Sequence, residues 1–201
     1  MYQQILVITT ILLELVEMME VAKKPVFYTG GGVINSGLGA NAKVRELVAG
    51  TNFPITSTLM GLGTYPASGE NGLGMLGMHG SYEANMAMHH ADLIVSIGAR
   101  FDDRVTNAID KFCPGARIVH IDIDPASISK TVEVDVPIVG PVDSVLKEML
   151  ALIRESKQGP DKGALASWWK SIEEWKAFHG GRFEASEDSI KPQQAIEALY
   201  K

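Results

Sequence analysis

The feature that most constrains this chain is a series of short, almost wholly apolar segments that alternate with helical patterns. The apolar segments predict β-strands at residues 25–29, 53–58, 92–98, 117–123 and 136–139. Apolar residues at helical spacing predict helices at about 40–49, 82–90 and 142–155. Apolar strands that alternate with helices are typical of a parallel sheet covered on both faces. The sequence therefore predicts an α/β, Rossmann-like domain.

Four of these strands are followed by segments rich in glycine or charge. They are 30–32 (Gly-Gly-Gly), 58–60 (Thr-Leu-Met), 98–100 (Gly-Ala-Arg) and 122–124 (Asp-Ile-Asp). Right-handed crossovers place the carboxyl ends of parallel strands at one edge of the sheet, where α/β proteins bind ligands. Of the 20 glycines, 14 lie between Gly30 and Gly98, as expected where backbone approaches a ligand closely. The pattern favours a nucleotide-type ligand along this edge.

The composition excludes several classes of protein. The 201 residues carry a formal net charge of −6, with 18 Lys and Arg against 24 Asp and Glu, and no segregated basic patch. Such a surface argues against nucleic-acid binding. A single cysteine, Cys113, excludes a disulfide framework and a structural zinc site built on several thiolates. We predict no metal site and treat Cys113 as structural.

The segment 1–22 is predicted to be a leading helix. From Leu12 onward the apolar residues follow helical spacing, with glutamates on the other side. Residues 5–11 are more strand-like, and we interpret this start as a candidate non-native fusion remnant. No Lys or Arg precedes the apolar stretch, which is too short to span a bilayer, so neither a secretory signal nor an anchor is predicted. We expect a soluble protein, cytoplasmic in preference to an organelle matrix.

Two further segments depart from the strand–helix alternation. Residues 64–80 contain five glycines without a repeating pattern, which predicts a long functional loop. After a polar linker at 156–163, Trp168, Trp169 and Trp175 form an aromatic helical stripe. We interpret this stripe as packing against a neighbour outside the chain. A last helix is predicted to begin near Pro192.

The candidate binding residues include a charged cluster at 100–104, with two arginines and two aspartates directly after a strand. Arginine binds phosphate or carboxylate bidentately, and aspartate can hold that arginine or a ribose hydroxyl; a solvated loop with local ion pairs is the alternative. The dinucleotide fingerprint needs a sixth-position glycine where this chain has Asn35, so an NAD-type arrangement is unsupported. His79 is equally compatible with ligand binding and with an ordinary surface role. His89 and His90 close a helix, where a cation is favourable, and receive no catalytic role.

Five segments in this order resemble the acetohydroxyacid (acetolactate) synthase large-subunit family of thiamine-diphosphate enzymes. They are KKPVFYTGGGVINSG, PITSTLMGLG, GMLGMHG, SIGARFDDRVT and RIVHIDIDPASISK. The resemblance implies that residues 23–155 form the family's central domain, a six-stranded parallel Rossmann-like sheet of the DHS-like NAD/FAD-binding type. It also implies a flavoprotein whose FAD is structural. Residues 156–201 would then be a linker and the truncated start of the thiamine-diphosphate-binding domain.

The resemblance also assigns residues to sites. The implied FAD contacts are Gly30, Gly31, Gly32, Thr58, Leu59, Met60, Leu76, Gly77, Met78, His79, Gly98, Ala99, Arg100, Asp102, Arg104, Val105, Asp122 and Ile123. Met78, Asp103 and Arg104 match positions that line the family's substrate channel, where Arg104 would bind a 2-keto acid carboxylate. One departure is Pro141, which stands where many members have an aspartate that contributes to FAD binding.

The family's catalytic glutamate and its Gly-Asp-Gly motif for Mg²⁺ and diphosphate are not found in these residues. No catalytic residue is therefore assigned here, and the isolated chain is expected to be inactive. The implied whole enzyme is a transferase of branched-chain amino-acid biosynthesis, which condenses pyruvate with pyruvate or 2-ketobutyrate and releases CO₂. The implied partners are a second large subunit and a regulatory small subunit.

Three other interpretations stay open at this point. One is the central domain of another thiamine-diphosphate carboligase or decarboxylase, such as a glyoxylate carboligase. Another is a free-standing module that binds FAD, NAD or an adenine nucleotide. The third is a domain that serves only in the assembly of an enzyme.

Overall fold

A computed structural model describes residues 2–156, 158–179, 183–186 and 188–200, with side chains of the first helix from residue 9 onward. The strands are β1 Pro25–Thr29, β2 Ile55–Ser57, β3 Gly72–Met75, β4 Leu93–Ile97, β5 Arg117–Asp122 and β6 Val136–Val139. The helices are α1 Tyr2–Val21, α2 Gly31–Asn35, α3 Leu38–Thr51, α4 Tyr82–His90, α5 Asp103–Thr106, α6 Val142–Glu155, α7 Lys162–His179 and α8 Pro192–Tyr200. Short 3₁₀ turns occupy Leu59–Gly61 and Ile109–Lys111.

The six strands form one sheet in the order β3-β2-β1-β4-β5-β6, and every neighbouring pair is parallel. This is the doubly wound Rossmann order, so the predicted fold class is confirmed. The chain leaves β1 in one direction to β2 and β3, then returns to β4 beside β1. The loops after β1 and β4 therefore lie at the topological switch point, the part of such sheets where ligands bind.

The core lies on both faces of this sheet. All residues of β1, β2 and β4 are buried, as their nearly continuous apolar sequences require. Helices α1, α2, α3 and α6 pack against one another, whereas α4 packs against α7. Right-handed crossovers of a doubly wound sheet place two such helix groups on opposite faces. Leu12, Leu15 and Met19 form the buried stripe of α1, which confirms the leading helix.

Two predictions about local structure are wrong. Residues 5–11 continue α1 as helix, although their β-branched residues favour a strand. Extending an existing helix adds one hydrogen bond for each residue fixed, which outweighs that weak preference. The loop predicted at 64–80 contains β3, a strand that is not among the five predicted from apolar segments. Two of its four residues are glycines without side chains to reveal a pattern, and β2 holds it in place through Ile55 and Ser57.

The interpretation of the tryptophan stripe is also wrong. Trp168 is buried within this chain, and its indole N–H donates to the carbonyl of Pro25 at 3.1 Å. Trp169 donates to the carbonyl of Asn52 at 2.9 Å. Pro25 begins β1, and Asn52 precedes β2, so α7 closes the amino edge of the sheet. The acceptors of both indole N–H groups are therefore backbone carbonyls of this same chain, far away in sequence. The glycine pair expected to end this helix, 180–181, lies outside the described residues.

Candidate functional site

The residues assigned to cofactor binding all follow the carboxyl ends of strands. In sheet terms they lie at 30–32 after β1, 58–60 after β2, 76–79 after β3, 98–105 after β4, and 122–123 at the end of β5. Because all six strands are parallel, these segments share one edge of the sheet. The structure therefore brings together every residue that the sequence assigned to cofactor and channel.

Backbone hydrogen bonds join these loops into one surface. Each bond continues the ladder of the strands by one step beyond their ends. The bonds run from Thr58 N to Thr29 O (2.9 Å), from Gly30 N to Ile97 O (3.0 Å) and from Gly98 N to Ile121 O (2.8 Å). The edge is thus fixed by main-chain geometry before any side chain contributes.

The glycines at the switch point allow two loops to touch. A Cβ atom added to Gly30 would lie 2.2 Å from the carbonyl oxygen of Gly98. A Cβ added to Gly32 would lie 2.8 Å from the Cα of Gly98, which itself has a left-handed φ of +61°. Gly30 and Gly32 are therefore explained by contact between the β1 and β4 loops. Sequence reasoning expected their backbone to face a ligand and missed this packing role.

Four large apolar side chains around the same edge point into solvent. They are Leu59 (66% exposed), Met60 (73%), Met78 (64%) and Ile123 (66%). They come from loops after three different strands, β2, β3 and β5. Single exposed apolar residues are ordinary, but several at the carboxyl edge of one parallel sheet are typical of a ligand-binding surface.

The charged cluster after β4 is organised around Asp102. Its carboxylate caps α5 by accepting the backbone N–H of Arg104 at 3.2 Å, and it pairs with the guanidinium of Arg100. The N–H of Arg104, the side chain of Asp103 and Arg100 together lower the pKa of Asp102. Arg100 and Arg104 are exposed, so both guanidinium groups can reach an anion at the edge. The cluster is more than a loosely solvated loop, because Asp102 sets the backbone that carries both arginines.

Phe101 anchors this loop from below. Its φ of +54° lies in the left-handed region, an uncommon conformation for a bulky residue, and its side chain is buried. The ring packs 5.3 Å from Tyr28, 6.0 Å from Phe112 and 5.1 Å from His120, measured between centroids. The left-handed turn sends Phe101 into the core while its neighbours face the edge. Sequence reasoning missed this residue, since an apolar residue between charges is a weak signal.

Two buried polar groups accompany Phe101. The hydroxyl of Tyr28 has no hydrogen-bond partner among the described residues, and burial raises its pKa well above the ordinary value. His120 is fully buried, and its Nε2 lies 3.8 Å from the carboxylate of Asp122, beyond hydrogen-bond reach. Burial lowers the pKa of His120, while Asp122 acts in the opposite direction. His120 is therefore neutral at neutral pH and lies directly beneath the edge.

Several candidate residues have side chains that are buried or already engaged. Leu76 and Ala99 are buried. The hydroxyl oxygen of Thr58 accepts the N–H of Gly61 at 3.0 Å. Pro141 is the N-cap residue of α6 and makes no side-chain cap. Proline has no carboxylate, so this position can offer a ligand only its backbone carbonyl.

The remaining candidate residues of the edge divide into exposed and occupied groups. His79 is exposed, which leaves both interpretations of this residue in place. Asp122 keeps one carboxylate oxygen on the N–H of Asp124 at 2.9 Å. Asp124 is engaged in its own turn, where it accepts the N–H of Ala126 and the hydroxyl of Ser127. Asp122 is therefore the better candidate for a ribose hydroxyl.

Cys113 and His90 take no part in this edge. Cys113 is buried, and burial raises its pKa to about 12, which agrees with a structural thiol. His90 stacks on Trp175 with the ring centroids 5.5 Å apart. Burial, His89 and Lys24 lower the pKa of His90. His90 thus lies at the end of α4, as the sequence indicated, in an environment that disfavours its charged form.

Two searches of the described residues bear on other ligands and on membranes. Within 2–156, 158–179, 183–186 and 188–200, no three His, Cys, Asp or Glu side chains gather where they could hold a metal ion. Over the same residues, no helix combines the length and apolar character needed to cross a bilayer.

Comparison with known proteins gives consistent matches. A family model described as "Thiamine pyrophosphate enzyme, central domain" matches residues 12–149. The chain is 48% identical over 180 residues to the acetolactate synthase isozyme 3 large subunit of Escherichia coli, covering 90% of this chain and 31% of the relative. It is 50% identical over 183 residues to the acetolactate synthase large subunit of Haemophilus influenzae, with coverages of 90% and 31%. It is 43% identical over 187 residues to the acetolactate synthase large subunit of Corynebacterium glutamicum, covering 92% of this chain and 29% of the relative. The chain thus spans about three tenths of the length of these relatives.

Proposed function

Because the chain belongs to the family of thiamine pyrophosphate enzyme central domains, we propose that it forms the FAD-binding part of an acetolactate synthase large subunit. The observation that carries the proposal is the group of exposed apolar side chains at the carboxyl edge of the sheet. The relatives that match over nine tenths of the chain are all named acetolactate synthase, which supports this choice over a free-standing nucleotide module.

The chemistry of the edge suits the parts of FAD. Leu59, Met60 and Ile123 offer apolar surface for flat ring systems. Arg100 offers a fork of donors for the diphosphate, and Asp122 stands at the strand end where an acidic residue binds ribose. FAD would serve there as a structural cofactor.

The other assigned role is substrate guidance. Met78, Asp103 and Arg104 lie on two loops that touch, since the N–H of Met78 donates to the carbonyl of Arg104 at 2.9 Å. A guanidinium and an apolar side chain match the two ends of a small 2-keto acid, a carboxylate and a short alkyl group. We propose that Arg104 orients the carboxylate and Met78 excludes water from the alkyl end.

The activity proposed for the whole protein is the condensation of pyruvate with pyruvate or 2-ketobutyrate, with loss of CO₂. Thiamine diphosphate and Mg²⁺ would supply the carbanion chemistry from other parts of a longer chain. In this scheme α8 leads into the thiamine-diphosphate-binding domain. A second large subunit, a regulatory small subunit and a cytoplasmic location belong to the same proposal.

The experiment is a titration of the purified chain with FAD and with NAD, followed by flavin fluorescence and calorimetry. We expect FAD to bind more tightly than NAD. The double variant Met60→Ser with Ile123→Ser should weaken FAD binding by about tenfold or more, because it removes two large apolar contacts. Leu13→Ser is the matched control, since Leu13 is half exposed on α1, away from the edge. Tighter binding of NAD, or equal effects of the edge and control variants, would contradict the proposal.

A second experiment separates the synthase from other thiamine-diphosphate enzymes. A gene that encodes this chain within its longer protein should restore growth of a valine and isoleucine auxotroph. Growth without those amino acids would support the synthase. Failure to grow despite soluble expression would favour a sister carboligase or a decarboxylase.

A further inference from the structure

Asn85, in the first turns of α4, is bound to the loop that carries Met78. Its amide oxygen accepts the N–H of Gly77 at 2.9 Å. Its amide nitrogen donates to the carbonyl of Gly77 at 3.0 Å and to the carbonyl of Ser81 at 3.0 Å. One side chain therefore bonds to both backbone groups of Gly77, whose carbonyl also accepts the N–H of Gly80 at 2.9 Å. No prediction from the sequence assigned a role to Asn85.

Gly77 is the point where the loop needs such support. Its φ of +96° lies in the left-handed region that favours glycine. A Cβ at this position would lie 2.6 Å from the carbonyl oxygen of Arg104, so the two loops are in close contact. The next residue, Met78, donates its N–H to that same carbonyl at 2.9 Å. The conformation of Gly77 thus determines whether Met78 and Arg104 stay joined.

Leu76, which precedes Gly77, is buried in the core and also lines an open pocket of about 220 Å³. Asn85, Val105 and Thr106 line the same pocket. Gly77 has no side chain of its own to pack there, so hydrogen bonds hold its backbone in place. The amide of Asn85 supplies those bonds from the rigid side, because α4 packs against α7.

A simple helix-capping role does not explain Asn85. The N-cap of α4 is Ser81, whose hydroxyl oxygen accepts the N–H of Ala84 at 3.2 Å. The same hydroxyl donates to the carbonyl of Leu73 at 2.8 Å, so Ser81 also ties the helix to β3. Capping is complete without Asn85, and two of the three bonds of its amide go to Gly77.

We propose that Asn85 is a positioning residue, which holds Gly77 so that Met78 and Arg104 keep a fixed separation at the site. Its role in guiding substrate rests on the proposed function, in which those two residues line the channel. The contact between the loops does not depend on that function. The proposal can therefore be tested on the chain without any cofactor.

The test is amide hydrogen exchange of the 201-residue chain in three variants. Asn85→Leu removes both the donor and the acceptor. Asn41→Leu is the matched control, because Asn41 also lies in a helix, is partly buried, and has an amide oxygen without a partner among the described residues. We expect Asn85→Leu to lower the protection of the Gly77 and Met78 amides by about tenfold or more. Amides of β1 and β4 should keep their protection in both variants.

The variant Asn85→Asp adds a second measurement, the pH dependence of amide protection at Gly77 and Met78. A residue that only supports the fold in general would not change this pH dependence. An ionised carboxylate accepts from the Gly77 N–H but cannot donate to its carbonyl, whereas a protonated carboxyl does both. At neutral pH the second carboxylate oxygen would face the Gly77 carbonyl with no proton between them, and this repulsion should lower the protection of the Gly77 and Met78 amides. Protection should recover as the pH falls below the pKa of the introduced carboxyl, near about 4. Protection factors of the parent chain, measured at each pH, correct for the general effect of acid.

The outcomes are separable from those of the proposed function. Unchanged protection of Gly77 and Met78 in Asn85→Leu, or no acid recovery in Asn85→Asp beyond the parent, would overturn the positioning role. A loss of protection across the whole sheet in Asn85→Leu would also overturn it, since Asn85 would then support the fold in general. Weaker FAD binding by Asn85→Leu than by Asn41→Leu would support it further. Absence of FAD preference in the parent chain would count against the proposed function alone.

Discussion

The two edges of the sheet are closed in opposite ways. At the amino edge, α7 covers the starts of the strands, and its indoles donate to the carbonyls of Pro25 and Asn52. The carboxylate of Asp92 accepts the N–H groups of Lys23 and Lys24 at the same edge. At the carboxyl edge, the apolar side chains of the strand-end loops stay exposed among the residues that the structure describes.

This difference means that the amino edge contributes to the stability of the fold, whereas the carboxyl edge is available for binding. The amino edge already buries Trp168 and gives the indole N–H groups of Trp168 and Trp169 their acceptors, so the chain gains free energy of folding there. The carboxyl edge keeps apolar surface and guanidinium groups in water, which a ligand can cover. A parallel sheet places its ligand at one edge, so the other edge is free to be covered by the chain's own helix.

The largest expected effect is at the amino edge. Trp168→Ala removes a buried indole and leaves the carbonyl of Pro25 without its donor. We expect the free energy of unfolding to fall by about 3–5 kcal/mol. Urea denaturation followed by circular dichroism measures it.

Met60→Ala provides the matched comparison at the carboxyl edge. Met60 is large and apolar like Trp168 but is exposed, so its removal should change the free energy of unfolding by no more than about 0.5 kcal/mol. If both variants lose similar stability, the two edges do not differ as described.

A smaller effect tests how the carboxyl edge is assembled. Gly30→Ala places a methyl group 2.2 Å from the carbonyl oxygen of Gly98 and pushes the β1 and β4 loops apart. Overpacking of this kind costs about 1–3 kcal/mol, and thermal denaturation would detect it. FAD binding should weaken in the same variant.

Gly50→Ala is the control for this prediction. Gly50 lies in α3, and an added Cβ meets no atom within 4 Å. Alanine there should raise the free energy of unfolding by up to about 1 kcal/mol, because glycine is a poor helix former. Equal behaviour of the two variants would show that the glycine contact does not join the loops.

The smallest expected effect is the pH dependence that His120 adds to the carboxyl edge. Burial lowers the pKa of His120, so between that value and about 6.5 the unfolded chain binds more protons than the folded one. Stability should therefore decrease as the pH falls below about 6.5. His120→Leu should show a smaller decrease, as measured by melting temperatures at several pH values.

A variant of His90 provides a comparison for that measurement. The pKa of His90 is lowered as well, and its ring stacks on Trp175 of α7. His90→Gln should remove a separate part of the acid destabilisation, one that originates at the helix covering the amino edge. An unchanged pH dependence in His120→Leu would assign the whole effect to groups outside the carboxyl edge.

Much of the fold followed from local pattern alone. The bounds of β1, β6 and α6 agree with the predicted segments, because each is a compact apolar run or an amphipathic stretch between clear breaks. The shared edge also followed, since parallel strands leave no other place for their loops. Strand β3 did not follow, because Gly72 and Gly74 lack the side chains from which a strand pattern is recognised.

The location of the candidate site was predictable from the sequence, but the contacts and backbone conformations that build it were less so. Glycines and charges after the strands indicated the edge, but the contact of Gly30 with Gly98 depends on a register that only the folded sheet defines. The same holds for Phe101, whose left-handed backbone has no signature among charged neighbours. Asn85 precedes an apolar residue within a helix, and nothing in that setting suggests a hydrogen bond back to Gly77.

The contact between Gly30 and Gly98 also has a kinetic consequence. β1 and β4 are neighbours in the sheet, yet β2, β3 and three helices separate them along the chain. Pairings between distant segments form slowly, because a large loop of chain must close first. During synthesis, a chain that has emerged only as far as α3 contains β1 but not β4, so the proposed binding surface is incomplete. This surface forms late, when β4 pairs with β1. A ligand that requires the surface can therefore bind only chains that have completed this slow step.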